Sequence, residues 1–499
     1  MKAIRKYLGI AAILGLTSFT VRSAELRPAW TFPAAGHIAP VNSSPTVFHD
    51  VVYVGSDDGK LYALYAVGDK AGTLLPGFPI ALDGSVKGRP AVYGASGQET
   101  VYVATARGSL YAFALNGQPA WGRNPQPVSP GIPILTTPAV RGKYIYLTAS
   151  NGRISRRNAA DGSAAGGLTY GRTFVTSLPR RQAAPPAQSY LEVTDASGLF
   201  PAGRVNILGA DAVGSPAVYE YTYSGRNTAV RPNRLLNVAP VGSGGPLLAH
   251  PKGAAVFGFG PGAACTSSPS VPGSDNADLV IAGVDTGASG PRVRFADRDL
   301  VGLKSDAFGL VPQWEVSYGA RIATEPVVDE KTGALFVGAW EDGADPKAGA
   351  RIYRLTASNG QVDSRWPNGG YVRIAGATID ASPWLDRAGQ VLYFGATDGS
   401  LSALNAADGS TALPPNVLDG AAGSFHSTPL VVNDKLYIGS HSGRFYAVPV
   451  RDPGAFAAFA DPDRGPLDSS PSASGCVAGR DVVVVGSAAG KILAFPIQP

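Results

Sequence analysis

Residues 51–64 read VVYVGSDDGKLYAL, and the same cadence returns at 101–113 (VYVATARGSLYAF), 144–157 (YIYLTASNGRISRR), 391–404 (VLYFGATDGSLSAL), 435–448 (KLYIGSHSGRFYAV) and 482–495 (VVVVGSAAGKILAF). A further copy begins at Ala334 with ALFVGAWEDG and reaches Arg351–Leu355 through a longer turn. Each copy is rich in Val, Ile and Tyr, alternates apolar with small or polar residues, and turns on Asp-Gly, Asn-Gly or a similar pair, the pattern of a β-hairpin. Gly59, Gly152, Gly399 and Gly443 stand where those turns need a positive φ. The Asp and Asn beside them are turn formers and need no metal to explain them.

Upstream of the hairpins sits a proline step: Ser44-Pro45, Arg89-Pro90, Thr137-Pro138, Ser215-Pro216, Gly245-Pro246, Glu325-Pro326, Ser382-Pro383, Thr428-Pro429 and Ser470-Pro471. Proline is tolerated where a strand begins and excluded from the middle of a paired one, so each step marks a new sheet. Successive clear steps lie 42 to 57 residues apart, the length of one four-stranded propeller blade. The expected fold is therefore an all-β propeller. Residues 167–300 are divergent and rich in Gly, Pro and Ser, holding one elaborated blade or two with insertions, and seven clear units plus at least one there make eight four-stranded blades the expected count. The last unit stops at Phe495 with three strands, while Ala29-Trp30-Thr31-Phe32 has no blade of its own. The N-terminal strand is expected to close the ring, which removes open sheet edges.

Composition agrees. Charged residues make up 16% of the chain, and 63 Gly with 41 Pro leave little room for long helices. Lys2, Arg5 and Lys6 precede an apolar run from Leu8 to Val21 and small residues at Ser23 and Ala24, which reads as a signal peptide over 1–23. The run is shorter than the roughly 20 residues of a spanning helix, so no stable membrane insertion is expected. The expected mature chain, 24–499, is a single propeller domain in the periplasm or outside the cell. The leader carries four basic residues and no acidic one, so the formal charge of +5 falls to +1 without it. With no downstream run of Lys or Arg, nucleic acid is not an expected partner. Cys265 and Cys476 are the two cysteines, a candidate disulfide or two buried thiols.

The turns Asn158-Ala-Ala-Asp-Gly162 and Asn405-Ala-Ala-Asp-Gly409, and the pairing of a Gly turn with Trp in Gly117/Trp121 and Gly360/Trp366, resemble the repeat of the pyrroloquinoline-quinone (PQQ) type propellers. That family contains quinoprotein alcohol dehydrogenases and non-catalytic envelope scaffolds, and the resemblance covers about 27–166 and 320–499. No Trp follows the turns at 162 and 409, which implies weaker docking in those two units.

The resemblance raises the question of a quinone site. The family's enzymes hold the cofactor under an adjacent Cys-Cys disulfide, which this chain lacks. Trp340 and Trp384 are the candidate stacking residues, and Glu325, Glu341 and Asp342 the candidate oxygen ligands for calcium. No Cys-x-x-Cys-His is present, so no covalent c-type haem is expected, and no nucleophile elbow or phosphate loop occurs. Of five His, His426 in Ser424-Phe-His-Ser-Thr-Pro429 enters an inner strand near the central channel and is the one to examine for ligand contact. The leading expectation is a non-catalytic periplasmic or secreted scaffold without a cofactor, binding an envelope or secreted protein through loops of 167–300. The alternatives are a PQQ- and calcium-dependent alcohol or sugar dehydrogenase and a carbohydrate-binding propeller.

Overall fold

In a computed structural model, the described residues are 24–150 and 153–169, the strands between 172 and 322, and 324–497 apart from 341–348, 419–421 and 475–480. Nearly all the regular structure is β. The first repeat, Thr46–Phe48, Val51–Gly55, Lys60–Tyr65 and Ile80–Ala81, forms a four-stranded antiparallel sheet in chain order. The second spans Ala91–Tyr93 to Gln126–Pro127, the third Ala139–Arg141 to Ala164–Thr169, and the fourth Ala264–Cys265 to Gly309–Val316. The fifth runs from Val327–Asp329 to Tyr371–Ile374, the sixth from Trp384–Asp386 to Thr411–Val417, and the seventh from Leu430–Val432 to Ala457–Ala460. The turn glycines behave as their sequence demands, with φ of 74° at Gly59, 81° at Gly399 and 79° at Gly443; Gly152 lies outside the described residues.

The eighth sheet confirms the expected closure. Ser472–Ala473, Val482–Ser487 and Lys491–Pro496 supply three strands, and Trp30–Phe32 pairs antiparallel with the last of them, Trp30 opposite Ala494. Ahead of it, Ala24–Glu25 pairs parallel with Ala457–Ala460 of the seventh sheet, so the N-terminal segment ties two sheets together.

Each sheet touches the next. The innermost strands meet between the first and second, second and third, fifth and sixth, and sixth and seventh sheets, and again between the eighth and the first. The third and fourth are also direct neighbours, Arg153–Asn158 against Ala264–Cys265 and Ala164–Thr169 against Gly309–Val316. Two further sheets, drawn from strands between Arg172 and Phe257, are thereby accounted for as insertions between them in sequence.

The core lies between the sheets, and this modifies the expected alternation. Val51–Gly55 and Lys60–Tyr65 are buried on both faces, because each sheet is sandwiched by two others. Tyr53, Leu61 and Ala63 of the first sheet pack with Val101, Val103 and Phe113 of the second, while Val52, Val54 and Leu64 pack with Val484 and Ile492 of the eighth. Small residues alternate with large ones so that one sheet can approach another: a Cβ on Gly55 would lie 2.2 Å from Val86, and one on Gly486 2.6 Å from Val41. Val86 and Val41 each stand four residues before a proline step, on the segment entering the next sheet.

Outer strands are fastened by tryptophan. The indole N–H of Trp30 donates to Ala66 O (2.8 Å), Trp121 to Ala159 O (3.0 Å), Trp314 to Ala357 O (3.0 Å) and Trp366 to Ala406 O (3.1 Å). Each Trp belongs to one sheet and each Ala opens the turn of the next. The turn glycines lie against the same rings, and a Cβ would come within 2.6 Å of Trp121 at Gly162, 2.5 Å of Trp314 at Gly360 and 2.9 Å of Trp366 at Gly409. The expectation of weaker docking at turns 162 and 409 is thus corrected. A turn receives its Trp from the preceding unit, and both are docked.

Candidate functional site

Seven of the nine proline steps converge on a cavity of about 520 Å³. Its wall is a ring of residues that each precede a proline: Ser44, Arg89, Thr137, Glu325, Ser382, Thr428 and Ser470. At four of the five positions where the sequence places Ser or Thr, the hydroxyl has a structural task. It accepts a hydrogen bond from the backbone N–H of the residue at the same position in the preceding sheet. Arg89 N–H donates to Thr137 Oγ1 (3.2 Å), Glu325 N–H to Ser382 Oγ (2.8 Å), Thr428 N–H to Ser470 Oγ (3.0 Å) and Ser470 N–H to Ser44 Oγ (2.8 Å). One residue earlier, a second hydroxyl serves its own sheet: Ser43, Thr324 and Ser469 accept from Gly55, Gly338 and Gly486 N–H at 3.3, 2.8 and 2.7 Å.

Arg89 and Glu325 break this ring. Arginine offers no acceptor, so it makes no such link back to Ser44. Among the described residues, neither the guanidinium nor the carboxylate has a side-chain hydrogen bond or an ion pair. The two sense each other electrostatically, but burial dominates: it pushes the Glu325 carboxyl up to about 7 against the pull of Arg89, and lowers the Arg89 pKa against the pull of Glu325. Trp384 and Arg387 line the same cavity; Arg387 spends one N–H on Val328 O (3.2 Å). Trp384 also packs against the core between the sixth and seventh sheets and against the core between the seventh and eighth.

The cavity therefore brings together two of the residues read from the sequence, Glu325 and Trp384. Trp340 is elsewhere, its indole donating to Asp380 Oδ1 (3.0 Å). Glu341, Asp342 and Cys476, and the side chain of Cys265, lie outside the described residues, and with them the full calcium set and the disulfide. Among the described residues no three His, Cys, Asp or Glu are grouped to hold a metal.

His426 occupies a second cluster, three residues before its proline. Asp380 and Asp468 hold the same position in the flanking sheets. The His426 Nδ1 lies 3.1 Å from Asp380 Oδ2, its Nε2 is 2.8 Å from Ser424 Oγ, and its ring meets His441 edge-on at 5.3 Å. His441 in turn bonds Asp468 at 2.8 Å. Asp380 also accepts from Thr378 (2.9 Å). The hydrogen bond to Asp380 holds the His426 pKa above its ordinary value against desolvation. Burial raises the Asp380 pKa, and the His426, Thr378 and Trp340 donors outweigh it to leave it lowered. This chain of contacts joins the segments entering the sixth, seventh and eighth sheets, and gives both Trp340 and His426 a structural task.

A family model described as outer membrane protein assembly factor BamB matches residues 20–185 and 282–498. The chain belongs to the BamB family. The gap in the match, 186–281, covers most of the insertion between the third and fourth sheets and the first strand of the fourth. No curated protein sequence matches the chain. Among solved structures, the computationally designed Ika8 protein is similar with a TM-score of 0.51 and 10% identity, covering 93% of this chain and 98% of that one. BamB from Moraxella catarrhalis follows at 0.49 and 11%, covering 95% and 100%, and Saccharomyces cerevisiae Sqt1 at 0.48 and 11%, covering 96% and 100%. Membership of the BamB family rests on the sequence match, while the Ika8 likeness speaks for the fold alone.

Proposed function

We propose that this BamB-family chain is a non-catalytic scaffold that binds a protein partner in the cell envelope, acting in the periplasm or outside the cell after loss of a 1–23 signal peptide. The observation that carries the reading is the family match, which spans the repeats on both sides of the insertion. The rigid frame supports it, since variable loops on a fixed scaffold are where binding collects. We count eight blades, with the two sheets between Arg172 and Phe257 standing outside the ring as part of the contact surface. Leu135, an exposed apolar residue three positions before Pro138, adds an apolar contact point. No helix among the described residues is long and apolar enough to cross a membrane.

The test is site-specific photo-crosslinking in the native cell from Leu135 and from residues of the 172–257 insertion, paired with calorimetric titration of the purified protein with PQQ and calcium. A discrete protein adduct that vanishes on deleting the insertion, without heat from PQQ, is the expected result. Calcium-dependent PQQ binding together with dye reduction, and no adduct, overturns the reading in favour of a quinoprotein oxidoreductase.

A further inference from the structure

In a repeat protein the positions that recur are those the fold requires, and a departure that gives up a structural contact needs another reason. The ring before the prolines is such a case. Ser or Thr there links one sheet to the next, as Thr137, Ser382, Ser470 and Ser44 do. Arg89 and Glu325 surrender the hydroxyl and place a cation and a carboxylate in the wall of one cavity. An Arg and a Glu chosen to hold sheets together would pair with each other. These two have no ion pair within 4 Å and no side-chain hydrogen bond among the described residues, so each keeps its bonding capacity while being partly desolvated.

We infer that the cavity binds a small zwitterion, an amino acid or short peptide, whose carboxylate is taken by the Arg89 guanidinium and whose ammonium is taken by the Glu325 carboxylate. The size fits, since about 520 Å³ lies within the roughly 300–1,000 Å³ of small-molecule sites. The rest of the wall supports it. The other ring residues lining the cavity are hydroxyls, and Val327, Leu385 and Leu430 offer apolar contact to a short side chain. Among the described residues Arg387 is the further charged group in the lining, so the cavity carries two cations against a single carboxyl that burial leaves about half protonated at pH 7. Such a site favours a carboxylate first. An arriving ammonium then favours ionised Glu325, so binding drives off a proton. The inference does not depend on the scaffold reading, which its failure would leave standing.

Isothermal titration of the full mature chain with L-Ala-L-Ala, N-acetyl-Ala-Ala and Ala-Ala-amide tests it. The free dipeptide is expected to bind saturably and each capped form at least tenfold more weakly. Titration at pH 7 in buffers of different ionisation enthalpy is expected to show release of roughly half a proton per ligand. Arg89→Ser and Glu325→Ser, which restore the repeat's own hydroxyl, are expected to abolish binding while unfolding as cooperatively as the parent. Equal binding of the acetylated dipeptide would remove Glu325 from the site and overturn the proposal. So would the absence of saturable heat from the free dipeptide at 10 mM, a threshold about tenfold above a millimolar Kd.

Discussion

The outer rim and the channel wall are built from one repeat, and they depart from it differently. On the rim, Trp30, Trp121, Trp314 and Trp366 make the same bond to the next sheet's turn, and a unit without a Trp loses that bond and its packing but brings in no charge. On the wall, the two positions that abandon the hydroxyl bring in charge where water is scarce. A lost Trp relaxes the frame, whereas a half-buried Arg and Glu cost stability and add chemistry. Departures on the rim therefore read as drift and those on the wall as function.

The comparison is open to test, beginning with the largest effect. Trp366 is 2% exposed and bonded to Ala406 O, so Trp366→Ala is expected to cost about 3–5 kcal/mol in denaturant unfolding and Trp366→Phe clearly less. A loss under about 1 kcal/mol would deny the rim its structural role. Next comes a pH effect on the wall. Folded Glu325 titrates at about 7 against 4.5 for the free side chain, so between these values the folded state holds more protons and stability falls as pH rises. Its favourable share is complete below 4.5 and gone above 7, a change on the order of 1–3 kcal/mol after allowing for partial exposure. Glu325→Gln should flatten that slope in urea titrations across the window. The opposite end of the wall has its own signature. The raised His426 pKa contributes stability that is present below pH 6.5 and lost above the folded value, so Asp380→Asn should cost more at pH 6 than at pH 8. Smallest is Ser470→Ala, which leaves the Thr428 N–H without its acceptor and should cost about 1 kcal/mol, confirming that the ordinary ring residues are structural.

Much of the frame was legible. VVYVGSDDGKLYAL and its copies gave the hairpins, seven of the prolines gave sheet starts while Pro216 opens an interior strand of an inserted sheet, and Trp30 without a blade gave the closure seen opposite Ala494. The direction of the Trp contacts was not legible, because Trp121 and its acceptor Ala159 sit in successive units, and a repeat read one copy at a time hides what copies do to each other. Ala24–Glu25 escaped for a similar reason, since a two-residue parallel strand has no pattern of its own. Arg89 and Glu325 were visible among the proline steps, yet their meaning depended on learning that the neighbouring Ser and Thr hydroxyls bond across sheets. Trp384 and Glu325 line one cavity, while Trp340 belongs to the Asp380 and His426 cluster, a contact formed across sheets and invisible along the chain.

The most direct measurement is equilibrium unfolding of the Arg89→Ser, Glu325→Ser double variant. It removes both charges together, so neither is left unpaired, and it returns the hydroxyl to both positions. The account predicts a protein more stable than the parent by about 1–3 kcal/mol at pH 7, with an unchanged cooperativity. A double variant less stable than the parent would show that Arg89 and Glu325 hold the fold, and would contradict the claim that they depart from the repeat for function.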